Sequence, residues 1–503
     1  MRALRRLYWL FVLPIVGMSA QTVFAQDDPN FEIGLKPFGS YQMGNIDTIN
    51  LGNGSLGVDI PLISYPQRGG KLTLDFALHY FNGSSYQIQA CYSEPFGTKC
   101  AYEAFGSYSG FEIIDKQALT YGPALNSSGE YQPCSSLAGT ATVLCDYQVS
   151  NTDGASHLLA PTTTASVSFR SIDASGILGS NASNTSFTDP EGIVHTDVQY
   201  GGILTDTRTD SNGNKIIYSS TVGWTDTMGR TIPVIPPASS SGLSGCPEPP
   251  SVPLPPTSAS TWSPPGPNGG AYTITFCYAT VTYTQPWAGS TPELQSVVLP
   301  NGMTWTFTYS PSPNSYIPIA DLAEITFPTG GTLSYAWTAT SVCGDPPSES
   351  ANEAVLTRTM NPNDGITPAS RWSYAFTPVG TVVTDPSNNA SVHTFGFGVP
   401  GTQNGCESYE NQVKSYQGLN TSGTLLKTVN TTFRYSALPW GGGLESANVV
   451  PITVSTAWPN GQESQVSHSY DSGFTVCDPC TFRPQETLTV TARSSSPPSM
   501  ARN

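Results

Sequence analysis

The sequence has little charge. Asp, Glu, Lys and Arg make up only 11% of its 503 residues, about half of the usual share. The formal net charge is -16, and no basic residues cluster beyond Arg2, Arg5 and Arg6. Because a surface that binds phosphates needs a basic patch, the composition argues against nucleic acid as a partner.

Helix-forming patterns are also lacking, since no convincing amphipathic helix occurs between residues 27 and 503. The chain instead has 48 Gly and 43 Pro, and 11% of its residues are aromatic. These residue types disfavour helices and suit strands that are joined by tight turns. We therefore expect an all-β fold.

Recognisable catalytic motifs are missing as well. The five histidines are each isolated in sequence, at His79, His157, His195, His393 and His468. Asp210, Asn212 and Asn214 have the spacing of a calcium loop, but Lys215 and Thr221 replace its Gly and Glu. We predict a plain turn there, and no catalytic residue, cofactor or metal ligand. Carboxylate pairs for glycoside hydrolysis leave no local signature, so a secreted polysaccharide hydrolase stays as an alternative.

The N-terminus is typical of a secretory signal peptide. An arginine-rich start precedes an apolar run over residues 7–20, and small residues precede a predicted cleavage between Ala25 and Gln26. The run is too short for a good membrane span, and Pro14 interrupts it. We expect export to the periplasm, the cell surface or the extracellular space, without a transmembrane segment after cleavage.

All ten cysteines follow this segment, at Cys91, Cys100, Cys134, Cys145, Cys246, Cys277, Cys343, Cys406, Cys477 and Cys480. An even number of cysteines in an exported chain predicts disulfides, although sequence cannot fix their connectivity. We expect neighbours in the chain to pair, and Cys277 to tie down the segment around Cys246. Cys477 and Cys480 form a lone CxxC, which we interpret as a structural disulfide because no second pair or βαβ context accompanies it.

Composition divides the chain into seven segments. We predict a signal peptide (1–25), an N-terminal β region with Cys-rich loops (26–149), β-hairpins (150–235), a Pro-rich linker or loop (236–270), hairpin repeats of 28 residues (271–345), a further β-repeat block (346–491) and a disordered tail (492–503).

One hairpin recurs within this pattern. Residues 294–310 and 322–338 match at six positions with a spacing of 28 residues. A Pro-x-Gly turn lies at the centre of each copy, and a third such turn occurs further on. The predicted turn residues are Pro300, Asn301 and Gly302, then Pro328 and Gly330, then Pro459 and Gly461.

Turn chemistry predicts the strand register of these hairpins. Pro, Asn and Gly in this order suit a three-residue loop with a G1 bulge, whose last residue is left-handed. This loop pairs Val297 with Trp305 and gathers the apolar side chains on one face. The same register pairs Ile325 with Leu333 in the second copy, and Val454 with Val466 in the third.

A second kind of turn follows Thr-Asp pairs. We predict that Asp153, Asp189 and Asp385 cap such turns with their carboxylates. Exposed aromatic residues on a β-surface can stack on sugar rings, which makes a glycan-binding adhesin a second functional class. We expect Trp305, Trp337 and Trp372 to be core residues instead, and hairpin periodicity supports this for the first two.

The hairpins carry a resemblance. Residues 44–85 run from a Gly-rich strand through an Ile-Pro-Leu strand and an Arg-Gly-Gly turn to a strand that ends in aromatics. Residues 210–234 contain Asp-x-Asn-Gly-Asn, a tyrosine and Asp-x-x-Gly-Arg. These stretches resemble the RHS/YD-repeat family of secreted or surface β-shell proteins. A literal Tyr-Asp occurs in a suitable place only at Tyr470, and no self-cleavage motif or toxin domain follows.

The resemblance implies stacked antiparallel β-hairpins that form a β-shell or spiral sheet, with β-sandwich modules as the alternative fold. It implies an exported structural or adhesion scaffold without catalysis. Cell-surface glycans, another RHS-shell segment or a toxin segment are its implied partners. A carbohydrate- or surface-binding adhesin made of β-sandwiches is the alternative function, beside the hydrolase.

Overall fold

The computed structural model confirms the all-β prediction, because the residues that it describes form 34 strands and no helix. The described residues are 37–82, 86–94, 97–105, 110–123, 133–134, 143–144, 147–152, 155–161, 168–171, 174–180, 185–196, 205–266, 269–283, 289–311, 320–340, 352–377, 380–396, 409–440 and 443–470. The predicted cleavage site at Ala25 and Gln26 and the tail from residue 492 lie outside these ranges.

The first ten strands are β1 Tyr41–Met43, β2 Asp47–Asn50, β3 Leu56–Pro66, β4 Thr73–Phe81, β5 Tyr86–Glu94, β6 Gly97–Phe105, β7 Gly110–Asp115, β8 Leu119–Pro123, β9 Pro133–Cys134 and β10 Val143–Leu144. Strands β1, β2, β3, β4 and β7 form an antiparallel sheet in that order, which we call the N-terminal sheet. Strand β3 buries Leu56, Val58 and Ile60 and leaves the residues between them less buried, as its period of two predicts.

The next strands are β11 Tyr147–Asn151, β12 Ser156–Pro161, β13 Ser168–Ser171, β14 Leu178–Ser180, β15 Ser186–Thr188, β16 Val194–Thr196, β17 Thr205–Thr209, β18 Lys215–Ser219, β19 Gly223–Asp226 and β20 Thr231–Ile232. They follow one another in a single antiparallel sheet, with β8 at its first edge. We call these eleven strands the middle sheet.

The remaining strands are β21 Ser258–Trp262, β22 Ile274–Tyr283, β23 Gly289–Val298, β24 Thr304–Pro311, β25 Ala320–Thr326, β26 Thr332–Thr340, β27 Asn352–Asn361, β28 Ser370–Thr377, β29 Gly380–Thr384, β30 Ala390–Gly396, β31 Tyr409–Gln417, β32 Thr424–Trp440, β33 Gly443–Ala457 and β34 Glu463–Ser467. All fourteen pair in strict chain order, and we call them the large sheet. One sheet therefore runs through both segments that composition had separated, 271–345 and 346–491.

The Pro-rich segment differs from a plain linker at its C-terminal end. Residues 258–262 contain no proline, and they form β21 at the first edge of the large sheet. Trp262 is fully buried and donates its indole N–H to the carbonyl of Pro233 over 2.8 Å. A disulfide joins Cys246 to Cys277 on β22, as neighbour pairing predicted, and fastens the segment to the sheet.

The three predicted Pro-x-Gly registers are confirmed. Val297 is opposite Trp305, Ile325 is opposite Leu333, and Val454 is opposite Val466. The last residue of each loop has a positive φ, at +78°, +92° and +82° for Gly302, Gly330 and Gly461. The bonds that close the first loop run from the amide of Leu299 to Met303 O (2.8 Å) and from the amide of Gly302 to Leu299 O (2.9 Å).

One hydrophobic core connects the three sheets. It includes Leu74 and Leu78 of the N-terminal sheet, Ile216 of the middle sheet, and Phe307 and Ile325 of the large sheet. A smaller core around Val149, Leu159 and Phe187 lies within the middle sheet. Since no single hairpin can bury its apolar face alone, this shared core explains why the hairpins need their neighbours.

One aromatic ring shows where the three sheets meet. Phe76 on β4 makes edge contacts with Trp224 on β19 and with Trp262 on β21, at centroid distances of 4.8 and 4.9 Å. Each of these three residues belongs to a different sheet. The far end of the large sheet lacks such cover, because all five residues of β34 are exposed.

Candidate functional site

Four turns use an aspartate in the same way. The Oδ1 atom of Asp189, Asp210, Asp226 and Asp385 each accepts hydrogen bonds from the amides two and four residues further on, over 2.8–3.0 Å. The capping predicted for Asp189 and Asp385 is confirmed, whereas Asp153 lies outside the described residues. The backbone bonds are those of the Pro-x-Gly turns, so the carboxylate adds side-chain hydrogen bonds to the same kind of loop.

Asp210, Asn212 and Asn214, which have the spacing of a calcium loop, form a turn that contacts the N-terminal sheet. Asn214 donates from Nδ2 to Asp210 Oδ2 (2.7 Å) and to the carbonyl of Arg68 (3.0 Å). Asn212 donates from Nδ2 to the carbonyl of Gly69 over 2.9 Å. Within the described ranges, no group of three or more His, Cys, Asp or Glu side chains has a metal-binding arrangement.

The next Asp-capped turn also touches the N-terminal sheet. Asp226 Oδ2 accepts from Arg230 Nε over 2.6 Å and from Gln67 Nε2 over 3.1 Å. The Arg230 guanidinium lies 5.1 Å from the ring centroid of Tyr65 and donates to the carbonyl of Pro66. These bonds join the middle sheet to the end of β3, and sequence patterns gave no signal for them.

A buried arginine links the middle sheet to β7. Arg208 is fully buried and donates both terminal nitrogens to the carboxylate of Asp115, while its Nε lies 3.2 Å from Asp206 Oδ2. Burial alone would lower the pKa of Arg208, but the two aspartates raise it, so the guanidinium stays charged. His195 is opposite Arg208 in the strand register, with its Nε2 3.6 Å from Asp189 Oδ2.

A second buried arginine links the large sheet to β2. Arg358 Nε and Nη2 donate to the two oxygens of Asp47 over 2.5 and 2.9 Å, and the hydroxyl of Tyr335 donates to Asp47 over 3.0 Å. The Arg358 guanidinium also stacks on Trp372, 4.6 Å from the ring centroid. Burial opposes the charge of Arg358, but the bonds to Asp47 raise its pKa. Bidentate pairing of this kind is strong and directional.

Another contact between the N-terminal sheet and the large sheet has no cation. Glu293 on β23, Asp321 on β25 and Glu353 on β27 are 9%, 0% and 1% exposed, and we call these three residues the acidic cluster. Tyr80 at the end of β4 accepts a hydrogen bond at its hydroxyl from the amide of Leu322 over 3.0 Å. The cluster therefore lies where the N-terminal sheet meets the large sheet.

The pKa values of all three carboxyl groups of the cluster are raised, which favours the neutral form. Burial raises the pKa of Glu293 to about 7, against a weaker opposing hydrogen bond from Thr291. Burial also raises the pKa of both Asp321 and Glu353, and the neighbouring Asp321 raises that of Glu353 further. No donor in the described part of the chain reaches any oxygen of these two residues. Because carboxylates only accept, the pair can be hydrogen-bonded only when one member carries a proton.

This geometry does not match a glycosidase pair. Catalytic carboxyl groups of glycosidases stand roughly 5–9.5 Å apart with room for a sugar or a water between them. Asp321 and Glu353 are instead closed to solvent, with exposures of 0% and 1%. A substrate cannot reach them without separating the sheets.

The five histidines occupy separate places. His79 Nδ1 lies 2.9 Å from Asp59, and His393 Nδ1 lies 2.5 Å from Glu410. His157 contacts Asn151 across a turn over 3.2 Å. His195 belongs to the Arg208 contact described above, and the ring of His468 stacks near Tyr470. Isolation in sequence therefore does not mean isolation in space, since His393 lies between Ser391 Oγ, 2.8 Å from its Nε2, and the carboxylate of Glu410.

The three tryptophans predicted as core residues pack against the shared core. Trp305, Trp337 and Trp372 are partly buried and contact it. Trp337 donates its indole N–H to the carbonyl of Leu322 over 2.9 Å, and Trp305 lies 5.2 Å from Phe327. Exposed aromatic side chains lie elsewhere, at Tyr435 and Trp458, which are 43% and 38% exposed.

Three of the other cysteines lie on described strands. Cys91 and Cys100 are opposite each other in the β5–β6 pair, and Cys134 is opposite Val143 in the β9–β10 pair. The remaining predicted disulfide cysteines, Cys145, Cys343, Cys406, Cys477 and Cys480, lie outside the described residues.

Comparison with known proteins adds no relative. No protein-family model matches the chain, and no curated protein matches it significantly. In the part of the chain that the structure describes, no helix is long and apolar enough to cross a membrane.

Proposed function

We propose that the chain is an exported structural scaffold of the RHS/YD-repeat type, which builds a β-shell or adhesion surface and has no catalysis of its own. The order of the strands carries this proposal. From β11 to β20 and from β21 to β34, each strand pairs with the next one in the chain, and one three-residue turn recurs at seven hairpins. A stack of this kind gains stability with each added hairpin, which is the physical logic of a repeat scaffold.

The use of polar residues supports the same proposal. The buried aspartates and arginines fasten one sheet to another, at Asp47 with Arg358 and at Asp115 with Arg208. The acidic cluster, which lacks a cation among the described residues, is closed to solvent. These side chains are committed to holding the sheets together, and none of them faces an open cleft.

Export is part of the proposal. The signal-like N-terminus supports it, and so does the Cys246–Cys277 disulfide, because disulfides persist in oxidising compartments. Expression of the full chain in a diderm bacterium, followed by fractionation and N-terminal sequencing, tests this point. We expect mature protein beginning at Gln26 outside the cytoplasm. Full-length protein retained in the cytoplasm would refute export.

The absence of catalysis is tested on the purified mature chain. We expect no turnover of a panel of plant, fungal and bacterial polysaccharides at pH 5 or pH 8. Turnover that the Asp321→Asn/Glu353→Gln double variant loses would assign the alternative hydrolase function to the acidic cluster. Turnover that survives in that variant would also overturn the scaffold proposal and would place the active site elsewhere.

An adhesin is the second candidate, and the uncovered end of the large sheet favours it. Tyr435 and Trp458 expose large aromatic surfaces there, which suit stacking on sugar rings. Glycan-array binding that falls on Tyr435→Ala and Trp458→Ala would support the adhesin. Leu426→Ala is the matched control, since Leu426 is 47% exposed but has no ring. Binding to no glycan would contradict the adhesin and leave the structural scaffold as the function.

A further inference from the structure

The acidic cluster lies at the attachment point of β4, and this position suggests a role for it. Tyr80 and Asn82 end that strand. The Tyr80 hydroxyl bonds to the amide of Leu322, next to Asp321. Asn82 donates from Nδ2 to the carbonyl of Glu353 over 3.3 Å and accepts at Oδ1 from the amide of Leu56 over 2.6 Å. The polar contacts that hold the end of β4 to the large sheet are therefore made by a cluster residue, Glu353, and by the neighbour of another, Leu322.

We propose that the acidic cluster is a pH-sensitive latch, which holds the end of β4 against the large sheet while its carboxyl groups are protonated and releases it when they ionise.

The surroundings of the cluster make ionisation costly. The titratable groups that interact around it are all neutral or negative: Tyr80 of β4, Tyr278 of β22, Glu293 of β23, Tyr309 of β24, Asp321 of β25 and Glu353 of β27. No Lys, Arg or His of the described chain interacts with the three carboxyl groups. An ionised carboxyl here would be an unpaired buried charge beside other carboxyls, which is strongly unfavourable.

The release is local, because the other contacts of the N-terminal sheet keep their charges. Asp47 with Arg358 and Asp115 with Arg208 are ion pairs, and the arginine pKa values are raised by these partners. They hold β2 and the end of β7 at neutral and at alkaline pH. These ion pairs do not hold the end of β4 or the start of β7 that pairs with it, where Gly110 lies beside Glu293.

The sign of the effect follows from proton linkage. The folded state binds protons at the cluster that the open state releases, so closure is favoured at low pH and weakens as the pH rises from the ordinary carboxyl pKa through the raised values. Glu293 places part of this change near neutral pH, since its pKa is about 7. For each net proton released, the opening constant rises roughly tenfold per pH unit.

Hydrogen exchange of the full-length protein measures this opening. Exchange rates are followed by mass spectrometry at pH 5, 6, 7 and 8 and corrected for the intrinsic pH dependence of amide exchange. We expect the opening constant of peptides from β4 and the start of β7 to rise at least roughly tenfold between pH 6 and pH 8. Peptides from β18, which lies away from the cluster, should show no such rise. A flat profile for β4 would overturn the latch.

Two variants identify the groups that are responsible. Asp321→Asn/Glu353→Gln keeps the shape of the pair but removes its charges, so the β4 profile should become much flatter. Glu324→Gln on the same strand is the matched control and should keep the wild-type profile. A rise that persists in the double variant would overturn the proposal. Protection restored at pH 8 by added calcium would also overturn it, because the cluster would then be a cation site. If the double variant does not fold, the wild-type profiles of β4 and β18 decide the question.

Discussion

Two contacts between the same pair of sheets bury carboxyl groups in opposite ways. At one, Asp47 receives two bonds from Arg358 and one from Tyr335. At the other, Asp321 and Glu353 face each other without a cation. Both sets of residues are almost completely buried. A counter-charge therefore decides whether a buried carboxyl is ionised and fixed, or protonated and sensitive to pH.

The comparison also shows where the few charged residues of this protein lie. Charged residues make up only 11% of the chain, yet several of them are inside it, between sheets. Hydrophobic burial holds the three sheets together without direction, whereas a bidentate arginine fixes one strand against another in a single geometry. The charged contacts thus set how the sheets are aligned on the shared core.

The largest effect should come from removing the cation of the first contact. Arg358→Met leaves Asp47 buried without a cation, so we expect the free energy of unfolding at pH 7 to fall by about 3–5 kcal/mol. Urea denaturation followed by tryptophan fluorescence measures it. Arg371→Met is the control, because Arg371 is exposed on the neighbouring β28, and should change stability by less than about 0.5 kcal/mol. Equal losses in the two variants would contradict a special role for the Asp47 contact.

Removing a charge from the second contact should have the opposite sign at high pH. Glu353→Gln no longer needs a proton to remain buried, so we expect it to raise the free energy of unfolding at pH 8 by roughly 1–3 kcal/mol relative to its effect at pH 5. The raised pKa of Glu353 means that the wild-type protein loses stability as pH rises, and the variant should lose less. Denaturation at both pH values checks this, with Glu324→Gln as the control. Parallel wild-type and Glu353→Gln curves would contradict it.

The smallest effect should come from a turn that both contacts leave untouched. Gly302 has a φ of +78° and open space around it, so Gly302→Ala adds backbone strain alone and should cost about 1 kcal/mol. Gly57 on β3 has equally open space and no positive φ. Thermal unfolding measures the stability of both variants, and Gly57→Ala should be neutral or slightly stabilising. A stabilised Gly302→Ala variant would show that the bulged loop does not set the register.

Local features of the fold could be predicted from sequence because they depend on neighbouring residues. Pro, Gly and Asp at fixed offsets determine a three-residue loop, and the loop determines which strand residues face each other. The register of Val297 with Trp305 follows from these positions, as does the cap formed by Asp385. The Cys246–Cys277 disulfide followed from chain proximity.

The contacts between sheets could not be predicted in this way. Asp47 and Arg358 are 311 residues apart, and nothing near either residue specifies the other. The acidic cluster brings together three strands, and Glu293, Asp321 and Glu353 each look like an ordinary polar position in its own strand. The one available signal was a charged residue within a strand in a chain with little charge, and this signal does not identify the residue that it contacts.

The central claim is that the three sheets share one core and behave as one scaffold. Native-state hydrogen exchange of the full chain at pH 5, where the acidic cluster is protonated, tests it most directly. We expect the slowest amides of β4, β18 and β25 to open with the same free energy, since Phe76, Ile216 and Ile325 belong to one core. A separate, less stable class for β4 would contradict the claim, because the N-terminal sheet would then be an independent unit.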